Sequence, residues 1–176
     1  QQASLYSPFA HFRYNPIAWF DGDAIGLDLT IRGNIKFLID NSQPTVVINT
    51  VAAANVESCE ADPELAYALN ERVPRIIAQQ CSEAEIKFVH ISTDHLFSKG
   101  SGPFRECDAP SPINIYGKSK LAGEQAVLEK CPTALVVRTN FFGLSNTTSM
   151  SLTEWILDGL KRGSERRLFR YVYFIP

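Results

Sequence analysis

The chain has 176 residues, of which 45% are hydrophobic and 20% are charged, and its formal net charge is -2. These values predict one globular domain with its own core, and the slightly acidic balance argues against a nucleic-acid-binding protein because no basic surface collects phosphates. No apolar run approaches the ~20 residues that span a bilayer, and no signal-peptide pattern opens the chain, so we expect no membrane partner.

The first 27 residues contain no clear strand pattern and no GxGxxG or GxxGxxG motif. Gly22 and Gly26 are the only glycines in this stretch, so they cannot form a glycine-rich turn that holds the phosphates of a dinucleotide. We therefore expect that this stretch lacks the strand and turn that open a dinucleotide-binding fold.

Three short, nearly continuous apolar runs follow, at Thr45–Asn49, Ile86–Ile91 and Ala134–Arg138. This pattern is typical of strands that are buried on both faces of a parallel sheet. About 40 residues separate each run from the next, which is enough for a crossover that contains a helix.

The sequence of the first crossover predicts a helix that begins with Asp62 as N-cap and Pro63 at its first position. Apolar residues at a spacing of four predict its core-facing stripe, which consists of Leu65, Leu69, Val73 and Ile77. Pro74 lies inside this pattern and should bend or interrupt the helix.

The second crossover predicts a helix over Lys118–Lys130, with one broad face formed by Leu121, Ala122, Gln125 and Leu128. Alternating strands and helices predict an α/β fold with a doubly wound, Rossmann-like parallel sheet that lacks its first βα unit. Residues 1–143 form the predicted dinucleotide-binding domain, and 144–176 begin a substrate-binding segment. In that segment Ser151–Leu160 predicts an amphipathic helix, and 167–176 predicts a strand or loop.

Polar residues occur where each predicted strand ends. Because ligands bind outside the carboxyl ends of strands in such sheets, we expect one crevice to be lined by Asn49 and Thr50, by Ser92, Thr93 and Asp94, and by Thr139 and Asn140. Tyr116 and Lys120 are four residues apart, so a helix would present both on one face.

A lysine ammonium close to a phenol favours the phenolate and would lower the pKa of Tyr116. With the Thr93 hydroxyl opposite, this arrangement suits hydride transfer to a carbonyl carbon while Tyr116 protonates the oxygen. Each feature alone is more often an ordinary surface or turn residue, but their combination behind buried strands favours a functional site.

Four cysteines without CxxC spacing and three histidines without a cluster predict free thiols, no bound metal and a cytoplasmic protein. Their scattered positions also argue against a disulfide framework.

Three stretches now become informative together: "VVINTVAAANVESCEADPELAYALN", "FVHISTDHLFSKGSGPFRECDAPSPINIYGKSKLAGEQAVL" and "LVVRTNFFG". They closely resemble extended short-chain dehydrogenases/reductases, and above all the dTDP-4-dehydrorhamnose reductase family. That resemblance implies reduction of the 4-keto group of a nucleotide-linked deoxysugar with NADPH or NADH.

The resemblance also implies roles for individual residues. Thr93, Tyr116 and Lys120 would be the catalytic set, with Tyr116 as proton donor and Lys120 on the nicotinamide ribose. The cofactor would also contact Asp28, Asn49, Ala52, Ala53 and Ser92, and the sugar nucleotide would contact Asp94, His95, Asn140 and Phe141. Asn70 matches a helix residue near the active site, although a polar side chain satisfied within its own helix explains it equally well. A homodimer is a further expectation.

The chain departs from the family pattern at several positions. His95 replaces a Tyr, Phe141 replaces a Trp, and the glycine-rich turn is missing, so we expect that segments of a longer protein are absent. Two other functions therefore stay open. One is a catalytically silent regulatory subunit of the same fold, like the methionine adenosyltransferase β-subunit, and the other is a sugar-nucleotide epimerase or dehydratase.

Overall fold

The structure, a computed structural model, describes residues 9–12, 23–97, 103–140 and 151–165. The chain divides into two compact units, Gln1–Thr139 and Asn140–Pro176. The assignment of 1–143 to the cofactor and 144–176 to the substrate stays a prediction. Within the described ranges, no helix combines the length and the apolarity that crossing a bilayer requires.

The first unit begins with a two-stranded parallel sheet. Strand β1, Phe9–Phe12, pairs with β2, Asp23–Gly26. The expectation that the first 27 residues contain no strand is therefore wrong. Both strands have only four residues, and the sequence of β2, DAIG, mixes small and polar residues, so neither shows the apolar run by which strands are recognised. Helix α1, Arg32–Ser42, follows and ends at Gln43, whose φ is 41°.

The second sheet contains the three strands that the apolar runs predict. Strands β3, Val46–Asn49, β4, Lys87–Thr93, and β5, Leu135–Thr139, are parallel and lie in the order β3-β4-β5. The chain thus has a Rossmann-like α/β fold with a parallel sheet, as predicted. The register pairs Asn49 with His90 and Thr93 with Thr139, which brings the polar strand ends to one edge of the sheet.

The first crossover is a sequence of short helical segments: α2, Val56–Ala61, α3, Pro63–Tyr67, a π-turn at Ala68–Arg72, and α4, Val73–Glu83. The predicted cap is confirmed, because the Asp62 side chain accepts a hydrogen bond from the Leu65 N–H at 3.0 Å. The predicted interruption is confirmed as well. Pro74 has no N–H for an α-helical bond, and the backbone widens into the π-turn immediately before it.

The second crossover ends in α5, Ile115–Lys130, which begins three residues earlier than predicted, with Asn114 as its N-cap. The expected broad face is wrong, because Gln125 and Leu128 are exposed. The helix instead buries two glycines, small residues and charged residues: Gly117, Ser119, Lys120, Gly123, Glu124, Ala126 and Val127. A pattern of apolar side chains could not reveal a helix that packs through its glycines.

The main core lies on one face of the β3–β5 sheet. Phe88 on β4 packs there with Ile77 of α4 and Val127 of α5. On the opposite face, Ile48 and Leu135 are 62% and 58% exposed. The expectation that these strands are buried on both faces is therefore wrong at these positions, because a run of apolar residues does not itself show what covers each face.

The second unit contains α6, Leu152–Arg162. Ser151 and Glu154 form a capping box at its start, and Gly163 ends it with a φ of 61°. The predicted amphipathic helix is confirmed, whereas 167–176 lie outside the described residues.

Candidate active site

Strand β4 and helix α5 bring Thr93 and Tyr116 together. Thr93 is the last residue of β4, and its hydroxyl lies close enough to the Tyr116 phenol to lower the pKa of that phenol. The same hydroxyl oxygen accepts a hydrogen bond from the His95 N–H at 3.2 Å, as the N-cap of a short 3₁₀ turn at Asp94–Leu96. The backbone turn after β4 thus holds the Thr93 hydroxyl in place beside the phenol.

The phenol of Tyr116 is a weaker acid here than in water. Burial raises its pKa most, the nearby Thr93 hydroxyl lowers it in part, and the charge of Asp94 raises it further. The expectation that Lys120 lowers this pKa is therefore wrong for this arrangement, since Lys120 does not contribute. Tyr116 consequently keeps its proton at neutral pH, as a proton donor must.

Lys120 is 2% exposed, and its ammonium donates a hydrogen bond of 2.6 Å to the Ile91 carbonyl of β4. Through this bond the ammonium contacts the backbone of β4 rather than the phenol of Tyr116. Burial lowers the pKa of Lys120 to about 8, and the nearby Glu124 carboxylate offsets part of that shift. Lys120 can therefore lose or regain a proton close to neutral pH.

Asn49 and His90 form a second buried pair, between β3 and β4. The Asn49 Nδ2 lies 3.1 Å from the His90 Nδ1, and the Asn49 Oδ1 accepts from the Val51 N–H at 3.1 Å. Burial, followed by the charge of Lys120, lowers the pKa of His90 to about 3, so the ring is neutral. With Nδ1 accepting from Asn49, the neutral ring carries its proton on Nε2.

Asn70, in the π-turn, connects the loop after β3 to α5. Its Oδ1 accepts from the Ala53 N–H at 2.8 Å, and its Nδ2 donates to the Ala53 carbonyl at 3.1 Å and to the Ser119 hydroxyl at 2.9 Å. Ser119 in turn donates to the Tyr116 carbonyl at 2.9 Å. Asn70 is therefore not satisfied within its own helix, because its side chain joins three elements around the candidate site.

Two glycines allow α5 to approach this closely. A β-carbon at Gly123 would collide with the Asn70 carbonyl oxygen, and one at Gly117 would lie 2.8 Å from the Pro112 Cβ. Glycine is unfavourable inside a helix, so the spacing of these two glycines in "YGKSKLAGE" was a signal of close packing that hydrophobic periodicity missed.

The predicted substrate residues lie in different parts of the chain. The exposed His95 ring contacts the Tyr116 ring edge-on, with the ring centroids 5.6 Å apart. The charge of Asp94 raises the pKa of the same phenol. Asn140 is half-buried and belongs to the second unit. Phe141 lies outside the described residues.

The remaining predicted cofactor residues lie at two places. Asp28 follows β2, and its carboxylate accepts from the N–H and hydroxyl of Thr30 at 2.9 and 2.7 Å, which shapes the turn before α1. Ala52 and Ala53 follow β3 and are half-buried, and Ser92 is buried on β4. Contact between these residues and a cofactor stays a prediction.

The residues around Lys120 fit the nicotinamide-ribose half of a dinucleotide. Among the buried side-chain nitrogen and oxygen atoms in the described part of the chain, His90 Nε2 and Ser92 Oγ have no hydrogen-bond partner. Ala52 and Ala53, which follow β3, have small side chains, and Tyr116 and Lys120 supply a hydroxyl and an ammonium. The chemistry of these groups therefore suits a ribose and a carboxamide.

A family model described as the RmlD substrate binding domain matches residues 10–162. The chain belongs to this family. A curated relative, the "Probable low-salt glycan biosynthesis reductase Agl14" of Haloferax volcanii, is 37% identical over 154 residues, which cover 85% of this chain and 51% of that protein.

Two solved structures show the same fold. A hypothetical dTDP-4-dehydrorhamnose reductase from Sulfolobus tokodaii is 30% identical with a TM-score of 0.81, and the match covers 92% of this chain and 55% of that one. The dTDP-4-dehydrorhamnose reductase of Bacillus anthracis in complex with NADP is 29% identical with a TM-score of 0.71, covering 81% and 52%. The chain thus spans about half the length of these members of the family.

Proposed function

We propose that this chain carries the catalytic residues of an NAD(P)H-dependent reductase that acts on the 4-keto group of a nucleotide-linked deoxysugar, of the dTDP-4-dehydrorhamnose type. The proximity of the Thr93 hydroxyl to the Tyr116 phenol carries this proposal, because one carbonyl oxygen could then meet both hydroxyl groups. The names of relatives in the family, which include dTDP-4-dehydrorhamnose reductases and an NADP complex, support the substrate class and the cofactor.

In this proposal the reduced nicotinamide supplies the hydride that attacks the carbonyl carbon. Tyr116 donates its proton to the carbonyl oxygen, and the raised pKa of its phenol keeps that proton available at neutral pH. Thr93 donates a hydrogen bond that positions the same oxygen. Lys120, with a pKa of about 8, binds the ribose.

The experiment measures NADPH oxidation by the protein that contains this chain, with dTDP-4-keto-6-deoxyhexoses as substrates. Tyr116→Phe keeps the ring but removes the proton, so kcat should fall by about 10²–10⁴-fold while the Kd for NADPH stays nearly constant. Lys120→Met should lower kcat and also weaken NADPH binding. Thr93→Val should cost on the order of 1–3 kcal/mol of transition-state stabilisation. Tyr67→Phe, on α3, is the matched control and should leave kcat unchanged.

Near wild-type turnover by the Tyr116→Phe variant would contradict this mechanism. A wild-type protein that binds NADPH without oxidising it would instead favour a catalytically silent subunit of the same fold. The formation of a homodimer and a cytoplasmic location stay predictions.

A further inference from the structure

Arg138, on β5, contacts three other parts of the first unit. Its Nε lies 3.0 and 3.1 Å from the two carboxylate oxygens of Glu124, and its Nη2 donates to Glu124 Oε2 at 2.7 Å. The guanidinium carbon lies 5.3 Å from the centroid of the Phe97 ring, and Nη1 donates to the Glu106 carbonyl at 3.4 Å. One side chain therefore joins a helix to two points of the chain that follows β4.

Those two points belong to what we call the connecting segment, Phe97 together with residues 103–114. The Phe97 and Phe104 rings are stacked with their centroids 4.7 Å apart, and the Ser111 N–H donates to the Leu96 carbonyl at 2.8 Å. The segment begins two residues after His95, whose ring meets Tyr116. At its other end the segment leads into α5 through its N-cap Asn114, and Pro112 lies close to Gly117, the residue after Tyr116.

Glu124, the other partner of Arg138, lies on the face of α5 that carries the catalytic pair. Tyr116, Lys120 and Glu124 follow one another at intervals of four residues, so they lie one turn apart on one side of the helix. The Glu124 side chain is only 4% exposed, and its bidentate contact with Arg138 fixes its carboxylate.

From these contacts we infer that Arg138 is a positioning residue, which holds the connecting segment against the catalytic helix and thereby sets the affinity for the sugar nucleotide. The inference rests on the function proposed above. If Arg138 served stability alone, its ion pair with Glu124 would be enough. Here the remaining Nη1 and the face of the guanidinium contact the connecting segment, and only a planar side chain can make all three contacts at once.

The test compares four variants of the protein that contains this chain: Arg138→Met, Arg138→Lys, Glu124→Gln and Phe97→Leu. Arg72→Met is the matched control, because Arg72 makes an exposed ion pair with Glu64. One readout compares the change in the KM for the dTDP-4-keto sugar with the changes in kcat and in the Kd for NADPH. The other is the rate of trypsin cleavage after Arg105, an exposed residue of the connecting segment, which needs no activity.

Arg138→Met should lower kcat/KM for the sugar nucleotide by roughly 10- to 100-fold, mainly through a higher KM, because a misplacement of about 1 Å can cost about 10²-fold in rate. Cleavage after Arg105 should become about tenfold faster as the segment opens more often, and the Kd for NADPH should change less than about twofold. Arg138→Lys should not restore the KM, since an ammonium cannot make the planar contacts. Glu124→Gln should show the same changes more weakly.

A KM and a cleavage rate within about twofold of wild type in Arg138→Met would overturn the inference, whatever happens to the melting temperature. If that variant does not fold, Phe97→Leu decides, because it keeps the ion pair and must still accelerate cleavage after Arg105. If the wild-type protein does not reduce the sugar, the proposed function fails, and the cleavage rates alone then show whether Arg138 holds the segment.

Discussion

The two sides of the candidate site are built differently. We call the buried polar groups between β4, α5 and the π-turn the inner wall, which contains Asn49, Asn70, His90 and Lys120. Each of these is at most 3% exposed and bonds to another element. The outer wall, the Asp94–Leu96 turn with the connecting segment, has exposed residues and depends on aromatic contacts and one guanidinium. We therefore expect the reaction chemistry to depend on the buried inner wall and the substrate choice on the more exposed outer wall.

The largest effect should come from removing the close approach within the inner wall. In Gly123→Ala the new methyl group would collide with the Asn70 carbonyl, so α5 must shift and the free energy of unfolding should fall by about 3 kcal/mol or more. Gly33→Ala, on α1, is the control because a β-carbon added there would meet nothing within 4 Å, and it should be neutral or slightly stabilising. Urea titration of both variants measures the difference, and equal midpoints would contradict the packing described here.

Asn70→Ala should destabilise the chain by about 2–3 kcal/mol, because the Ala53 N–H and carbonyl and the Ser119 hydroxyl lose their partner together. Asn41→Ala removes an exposed side-chain hydrogen bond on α1 and should change stability by less than about 0.5 kcal/mol. Thermal unfolding separates the two variants. An Asn70 variant as stable as the Asn41 variant would show that the inner wall is not held in this way.

His90 should make the inner wall sensitive to acid. Its pKa in the folded chain, about 3, lies below its ordinary value of 6.5, so below pH 6.5 the unfolded chain binds a proton that the folded chain does not. Stability is therefore lost as pH falls from about 6.5 towards 3, by roughly 2 kcal/mol at pH 5. His90→Gln cannot take up this proton, so its stability should fall less between pH 7 and pH 5 in urea titrations. Identical pH profiles would rule out the buried neutral ring.

The smallest effect should come from the outer wall. Phe104→Leu removes the stack on Phe97 at a site that is 41% exposed, so the loss of stability should be about 0.5–1 kcal/mol. Its effect on the KM for the sugar nucleotide should nevertheless exceed the effect of the Asn41 control. A stability loss equal to that of Gly123→Ala would remove the distinction between the two walls.

Much of the fold could be predicted from the sequence, because local patterns indicate it. Three apolar runs indicate the strands, Asp62 indicates a helix start, and Pro74 indicates an interruption. The pairing of Thr93 with Tyr116 was predictable for a similar reason, since strand ends and helix spacing place both residues. The buried face of α5 was not predictable from hydrophobicity, because glycines and charged residues form it. The contacts of Asn70 and Arg138 depend on partners from other elements, which no local pattern can identify.

The π-turn at Ala68–Arg72 has a consequence for how this helix can change during evolution or engineering. A π-turn adds one residue to an α-helix, so the side chains on its two sides follow different registers. Leu65, in the first turn of α3, is 40% exposed, whereas Leu69, Val73 and Ile77, in the same stripe, are buried. Deleting one residue here would close the widened turn into a regular α-helix and displace Asn70, which lies inside the turn, from Ala53 and Ser119. In engineering, Pro63–Glu83 should therefore be exchanged whole between related proteins or left unaltered.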